Sequence, residues 1–267
     1  MEIQKWKEII IPYDLAVREL ELKFNHIIQE SRDAGRYSYI EQVHGRVKAL
    51  SSILDKAKRK GIEIDQVTEE ICDIAGIRLI CQFVEDIRKV VQIIRDRSDL
   101  EVVEERDYVT DSKASGYRSY HMIVLYEVIT FYGRKKVYVE IQIRTLAMNF
   151  WSTIEHSLQY KYSGNLPDYI KERLLTSAKA VLELDAEMSM IREEILMAQD
   201  FFFGKARIVT EIKNNIQNLY KFENRDAILN IQNEFFELYR MGTMEELEDF
   251  NRQLDLIAAR HGVQSLK

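Results

Sequence analysis

Two carboxylates and a set of closely spaced cations are the residues whose types and spacing could do chemistry in this chain. Glu140 stands in the segment YVEIQIR, Tyr138 to Arg144, where Val or Ile occupies 137, 139, 141 and 143 while Tyr138, Glu140, Gln142 and Arg144 hold the intervening places. Successive strand residues point to opposite faces, so this alternation predicts one apolar face over a core and one face carrying an acid, an amide and a guanidinium. Taken alone, the segment reads first as a half-buried antiparallel strand with a solvated outer face. Asp73 lies in EEICDIAGIRLICQFVED, in the connection before a strand predicted from Ile77 to Phe83 on which Arg78 alternates with Ile77 and Leu79. A carboxylate beside an apolar strand is costly unless paired or metal-bound, and capping a turn is an equally good use for it.

The cations fall in two places. A helix predicted from about Tyr39 to Lys60, closed by Gly61, carries Lys48, Ser52, Lys56 and Arg59 along one face with Arg46 at its edge, and Val43, Val47, Leu50, Leu54 and Ala57 as a buried stripe. Such a face is often only solvated, but a small serine among stacked cations without alternating acids would also suit a polyphosphate. The segment DSKASGYRSYH then brings Lys113, Ser115, Gly116, Tyr117, Arg118 and His121 together in a loop. That loop is either a strand connection or a place where a base stacks on Tyr117 near its phosphates, worth on the order of 1 to 3 kcal/mol.

These residues need elements to position them. Apolar residues at three- and four-residue spacing predict a helix over residues 5–30, with Pro12 setting off a first short turn. A helical turn and a bend at Gly76 precede the Ile77 strand, a helix covers 85–97, and a strand covers 101–109. Strands at about 120–131 and 135–143 form an antiparallel hairpin across YGRK. Helix returns from Thr145 to Gly164 and again from about Pro167 to Phe203, and three further helices are expected at 206–221, 225–241 and 244–260.

The chain has 267 residues, 46% hydrophobic and 31% charged, which fits one generous domain or a catalytic domain with an appendage. Two cysteines, Cys72 and Cys81, are too few for a disulfide framework or a zinc cluster. A net charge of −6 argues against a grip on long nucleic acid, and DNA binding is not expected. No apolar run reaches the roughly 20 residues that span a bilayer, and the N-terminus is interrupted by charges, so a cytoplasmic protein is expected.

Together, GRVKxxxS, DIAGIR, SGYRSYH and EIQIRT, in that order and spacing over about residues 1 to 203, resemble the synthetase domain of RelA/SpoT proteins, and most closely the small alarmone synthetases. The resemblance implies an α+β fold: a mixed β-sheet flanked by helices, nucleotidyltransferase-like, with residues 204–267 as a helical extension for interaction or oligomerisation. It implies transfer of pyrophosphate from ATP to the 3′-hydroxyl of GTP or GDP, giving (p)ppGpp and AMP, with Mg²⁺ shared by Asp73 and Glu140 and with Glu140 as base. Arg46 and Arg78 would sandwich the adenine, and Lys48, Ser52, Lys56 and Arg59 would hold the ATP phosphates. On the acceptor side Tyr117 would stack on guanine, with Lys113, Ser115, His121 and Arg106 near the phosphates and Gln142 and Asn149 fixing the nucleotide.

None of the five histidines, at 26, 44, 121, 156 and 261, is followed by Asp, so the His-Asp hydrolase of longer relatives is not expected. A homo-oligomer is expected, the tetramer being one form the family takes. Asn25, Gln42 and His44 stand where the alarmone-stimulated branch places a basic, an aromatic and a hydroxyl residue, so stimulation of that kind is not. The alternatives are a toxin-like relative that pyrophosphorylates tRNA 3′ ends and a nucleotide sensor without turnover. The complete acceptor loop and the acidity of the chain weigh against the first, and the presence of both acids against the second.

Overall fold

The computed structural model describes residues 2–161, 166–220, 222 and 224–260. The chain divides into two compact units, Met1–Met190 and Ile191–Lys267. The first is built on a five-stranded mixed sheet with β1 (Gln42–Val47), β2 (Ala75–Cys81), β3 (Leu100–Asp107), β4 (Tyr120–Thr130) and β5 (Gly133–Thr145), in spatial order β1-β2-β5-β4-β3. Only the central β2–β5 pair is parallel; the other three neighbours are antiparallel. Around it lie α1 (Glu2–Asp33), α2 (Leu50–Lys60), a 3₁₀ turn at Ile64–Gln66 with the short α3 (Val67–Glu70), α4 (Val84–Arg95) and α5 (Leu146–Lys161).

The alternation around Glu140 is realised in β5: Val137, Val139, Ile141 and Ile143 are buried on one face. Ile77 and Leu79 of β2 and Met122 and Val124 of β4 share that core with Leu20 and Phe24 of α1 and Ile87, Val90 and Ile94 of α4. Two helices cover one face, and burial at roughly 25 cal/mol per Å² of apolar surface fixes the register. The opposite face carries the polar side chains.

Several expectations are corrected. Residues 42–47 form β1 instead of the start of a helix, and α2 begins only at Leu50. Val43 and Val47 fit both a four-residue and a two-residue period, so the stripe was ambiguous; within α2 the buried residues are Ile53 and Ala57, while Leu50 and Leu54 are more than a third exposed. Gly45 shows why a strand forms here: a Cβ would come within 2.4 Å of Val17 and 2.6 Å of Glu21, so only glycine lets β1 lie against α1. Gly76 is not a bend but a residue of β2 paired with Arg46, and Pro12 lies inside a continuous α1. The expected helix end at Gly164 falls outside the described residues.

The helices expected at 167–203 and 206–221 are one element, α6 (Asp168–Leu219), for Gly204 is followed by good helix formers and does not interrupt it. In the second unit the later part of α6, α7 (Arg225–Met241) and α8 (Met244–Arg260) bury Ile208, Ile212, Ile216, Phe235, Leu247 and Leu254 together. Asn215, 8% exposed within that core, donates to Asn251 Oδ1 at 3.1 Å and to Asp255 Oδ1 at 2.8 Å.

Candidate active site

Sheet register draws the polar residues into two rows. One row runs His44, Arg78, Gln142, His121 and Arg106 across β1, β2, β5, β4 and β3; the next runs Arg46, Gly76, Glu140, Ile123 and Glu104. Arg106 reaches this face because β3 shifts register between Val102 and Glu104, which turns the later residues of the strand over. Gly76 puts no side chain between Arg46 and Glu140, and a cleft of about 70 Å³ opens there, lined by Arg46, Arg78, Asp73, Glu140 and Gln142 among others. A second cleft of about 250 Å³ is lined by Lys56, Lys60, Asp73, Arg106, His121 and Glu140, with Glu70, Cys72, Glu104 and Ile123 completing it. Asp73 and Glu140 line both.

Asp73 sits in the turn between α3 and β2. Lys48 Nζ donates to Asp73 Oδ2 at 2.6 Å and Lys56 Nζ to the same oxygen at 2.7 Å, while the Lys48 backbone N–H donates to Ile74 O at 2.8 Å. Burial alone would raise the Asp73 pKa, but the two ammonium groups outweigh it and hold the carboxyl below its ordinary range. Its other oxygen, Oδ1, is buried without a hydrogen-bond partner. Glu140 is treated alike: burial pushes its pKa up, and His121 at 3.1 Å with Gln142 at 2.7 Å brings it below the ordinary value. Both acids are therefore ionised at neutral pH. Hard oxygen donors on a shared cleft, one with an unused buried lone pair, fit a divalent cation that also takes substrate oxygens.

Arg78 is pressed by burial and by the like charges of Arg144 and Arg46, which lower its pKa, and its Nε is buried without a partner. On the acceptor side Tyr117 is partly buried, with the Lys113 ammonium 4.9 Å and the Arg144 guanidinium 5.0 Å from its ring centroid. Gly116, at φ +85°, seats this loop so closely on α6 that a Cβ would come within 2.5 Å of Ala178 Cβ. Ser115 is exposed and accepts from the Tyr117 N–H at 3.4 Å. Asn149, on the first turns of α5, has a buried Oδ1 with no partner.

The structure thus gathers Arg46, Lys48, Lys56, Asp73, Arg78, Arg106, His121, Glu140 and Gln142 around the two clefts. Ser52 and Arg59 are exposed on α2 and line neither. Sequence reasoning missed Lys60, Glu70 and Glu104 as lining residues; Lys60, four residues beyond Lys56, was legible from helical spacing. Among the described residues three buried side-chain atoms lack a hydrogen-bond partner, Asp73 Oδ1, Arg78 Nε and Asn149 Oδ1. All three belong to residues expected to meet ligand.

A family model described as the region found in RelA / SpoT proteins matches residues 45–165. The chain is 50% identical over 207 residues to the GTP pyrophosphokinase YjbM of Bacillus subtilis, an alignment covering 78% of this chain and 98% of that protein. The structure of small alarmone synthetase 1 from Bacillus subtilis bound to its product pppGpp superposes with a TM-score of 0.70 at 50% identity, covering 72% of this chain and 99% of the other. The same synthetase bound to AMPCPP gives 0.65 at 47% identity over 72% and 98%.

Proposed function

This chain belongs to the RelA/SpoT family, and on that premise we propose that it is a GTP pyrophosphokinase, a monofunctional alarmone synthetase. It moves the β,γ-pyrophosphate of ATP to the 3′-hydroxyl of GTP or GDP and releases AMP. The observation that carries this reading is the coincidence of the three partnerless buried atoms with a donor-side arginine, a shared acid and an acceptor-side amide. A buried polar group without a partner costs about 1–3 kcal/mol, and a bound substrate that supplies the partner recovers it.

In this reading Arg46 and Arg78 flank the adenine over Gly76. Lys48, Lys56, Ser52 and Arg59 serve the ATP phosphates, the two lysines turning from Asp73 as anionic oxygens arrive. Tyr117 takes the guanine once Lys113 moves off its ring toward phosphate, with Ser115, His121 and Arg106 beside the acceptor phosphates and Gln142 and Asn149 holding the nucleotide. Asp73 and Glu140 would hold Mg²⁺, which when bound would supply neutralisation of phosphate charge. Glu140 takes the proton of the 3′-hydroxyl; the 3′-oxygen bonds to the β-phosphorus of ATP as the bond from that phosphorus to the α-phosphate oxygen breaks and AMP departs. Clustered guanidinium and ammonium groups offset the repulsion between two polyanions, which is why an acidic chain has cations gathered about these clefts.

The proposal extends to residues 1–203 as the synthetase domain, 204–267 as an interaction or oligomerisation appendage, a homo-oligomeric enzyme and a cytoplasmic setting. Among the described residues no helix is long and apolar enough to cross a membrane.

The test is incubation with labelled ATP, Mg²⁺ and each guanine nucleotide, beside Glu140→Gln. New guanosine tetra- or pentaphosphate with matching AMP is expected, falling about 10³-fold or more in the variant. Label moving onto tRNA instead, or ATP binding with no transfer, would refute the reading.

A further inference from the structure

Arg144 is 3% exposed, and its hydrogen bonds all go to uncharged oxygens. Its Nε donates to Ser119 Oγ at 3.2 Å and its Nη1 to Ser152 Oγ at 2.5 Å, both serines being buried. The remaining nitrogen, Nη2, feeds two arms. One passes to Gln142 Oε1 at 2.7 Å, and Gln142 Nε2 donates in turn to Glu140 Oε2 at 2.7 Å. The other passes to the Tyr117 hydroxyl, which lies 2.8 Å from His121 Nε2, and His121 Nδ1 lies 3.1 Å from Glu140 Oε1. The arms leave one nitrogen and end on the two oxygens of one carboxylate.

The direction of donation is consistent throughout. A guanidinium has only donors and an ionised carboxylate only acceptors, so each group between them must accept on one side and donate on the other. Gln142 can do so in only one of its two amide orientations. With a neutral imidazole, Tyr117 accepts from Arg144 and gives its proton to His121 Nε2, which leaves the imidazole proton on Nδ1, facing Glu140. Ionised Glu140 calls for the Gln142 N–H and the His121 Nδ1–H at the near end of each arm, and the Arg144 guanidinium anchors the far ends, the Gln142 amide oxygen and the Tyr117 hydroxyl. A buried cation with no direct acid partner is expensive, and four hydrogen bonds to neutral groups are a costly arrangement to keep for packing alone.

We infer that Arg144 is a positioning residue for Glu140: it sets the Gln142 amide and, through the Tyr117 hydroxyl, the His121 ring, so that both oxygens of Glu140 are held toward the shared cleft. It acts through those groups and not on substrate. Tyr117 thereby has two separable parts, a ring for a base and a hydroxyl for the arm. The inference rests on the proposed pyrophosphokinase reading for what Glu140 does.

The test uses the full chain as Arg144→Met, Arg144→Lys, Tyr117→Phe and the Tyr117→Phe/Arg144→Met double variant. Each single change is expected to lower kcat about 10- to 100-fold, with KM for ATP unchanged within about twofold. Tyr117→Phe keeps its ring and requires no rearrangement of the core, so it carries the test if Arg144→Met folds poorly. The double variant should be no worse than Arg144→Met, because both changes break one circuit. Arg144→Lys keeps the charge but not the planar fork, so full activity in that variant would overturn the inference, as would multiplying effects or a change confined to KM. A readout without turnover is the side-chain amide of Gln142 by nuclear magnetic resonance, expected as a slowly exchanging pair in the wild type and rapidly exchanging in Arg144→Met. If the wild type makes no product the pyrophosphokinase reading falls, while an identical Gln142 signal in both proteins refutes the role of Arg144 alone.

Discussion

Asn215 in the second unit and Arg78 in the first are both polar groups drawn wholly or partly out of solvent, and the two units treat them differently. The Asn215 amide finds Asn251 and Asp255, and Asn251 reaches on to Glu211 at 3.1 Å. Arg78 keeps a buried Nε without a partner and sits in the field of two other guanidinium groups. Satisfied polar burial is what a helical core needs to hold one packing. Unsatisfied burial lowers stability, and a fold retains it where a ligand supplies the missing partner. On that criterion the polar sheet face is the candidate site.

The largest expected effect that separates the two comes from Arg78→Ala. Removing a face-on cation from the proposed adenine site is expected to cost about 2 kcal/mol of binding, roughly a 30-fold rise in KM for ATP. Stability should hold or rise, since a desolvated and repelled cation leaves with it. Steady-state kinetics beside a thermal melt check both halves, and a large drop in Tm would mean that Arg78 is structural after all. Next is Asn215→Ala, expected to cost about 1–2 kcal/mol of unfolding free energy and to leave kcat and KM unchanged. A loss of activity at full stability would place function in the helical unit and undo the contrast.

Much of the site was legible because its chemistry rides on regular elements. The alternation through Glu140 and the approach of Asp73 to a strand follow from local spacing, and the hairpin placed His121 beside β5. What was hidden depends on contacts distant in sequence. The start of α2 was obscured by valines that satisfy two periods at once, and the deciding residue, Gly45, is explained by α1 packing 24 residues away. The face presented by Arg106 depends on the irregularity in β3, which the run EVVEERD does not reveal. The tie from Arg144 to Tyr117 spans 27 residues and joins a strand to a loop, so neither segment alone implied it.

The smallest effect probes burial in the first unit away from the clefts. Asp185, on α6, is 5% exposed and accepts from Thr145 Oγ1 at 2.7 Å, while that same oxygen accepts from the Met148 N–H at 3.0 Å and so starts α5. Burial raises the Asp185 pKa from 3.8 to about 6, the hydrogen bond from Thr145 only partly opposing it. The folded state therefore binds this proton more tightly than the unfolded chain does, and stability from this group falls as pH rises from about 4 through about 6, then levels off. Asp185→Asn keeps an acceptor for Thr145 and carries no charge. It should stabilise the protein by about 1 kcal/mol at pH 8, the burial cost of the amide offsetting part of the roughly 3 kcal/mol that the shift represents, and the gain should be lost at pH 4, where the acid is protonated in the folded state and about half ionised in the unfolded chain. Thermal melts of the two proteins at both pH values measure it. An equal gain at pH 4 and pH 8 would show that the charge is not what Asp185 costs the fold, and that this acid, like Asn215, is fully satisfied by its neighbours.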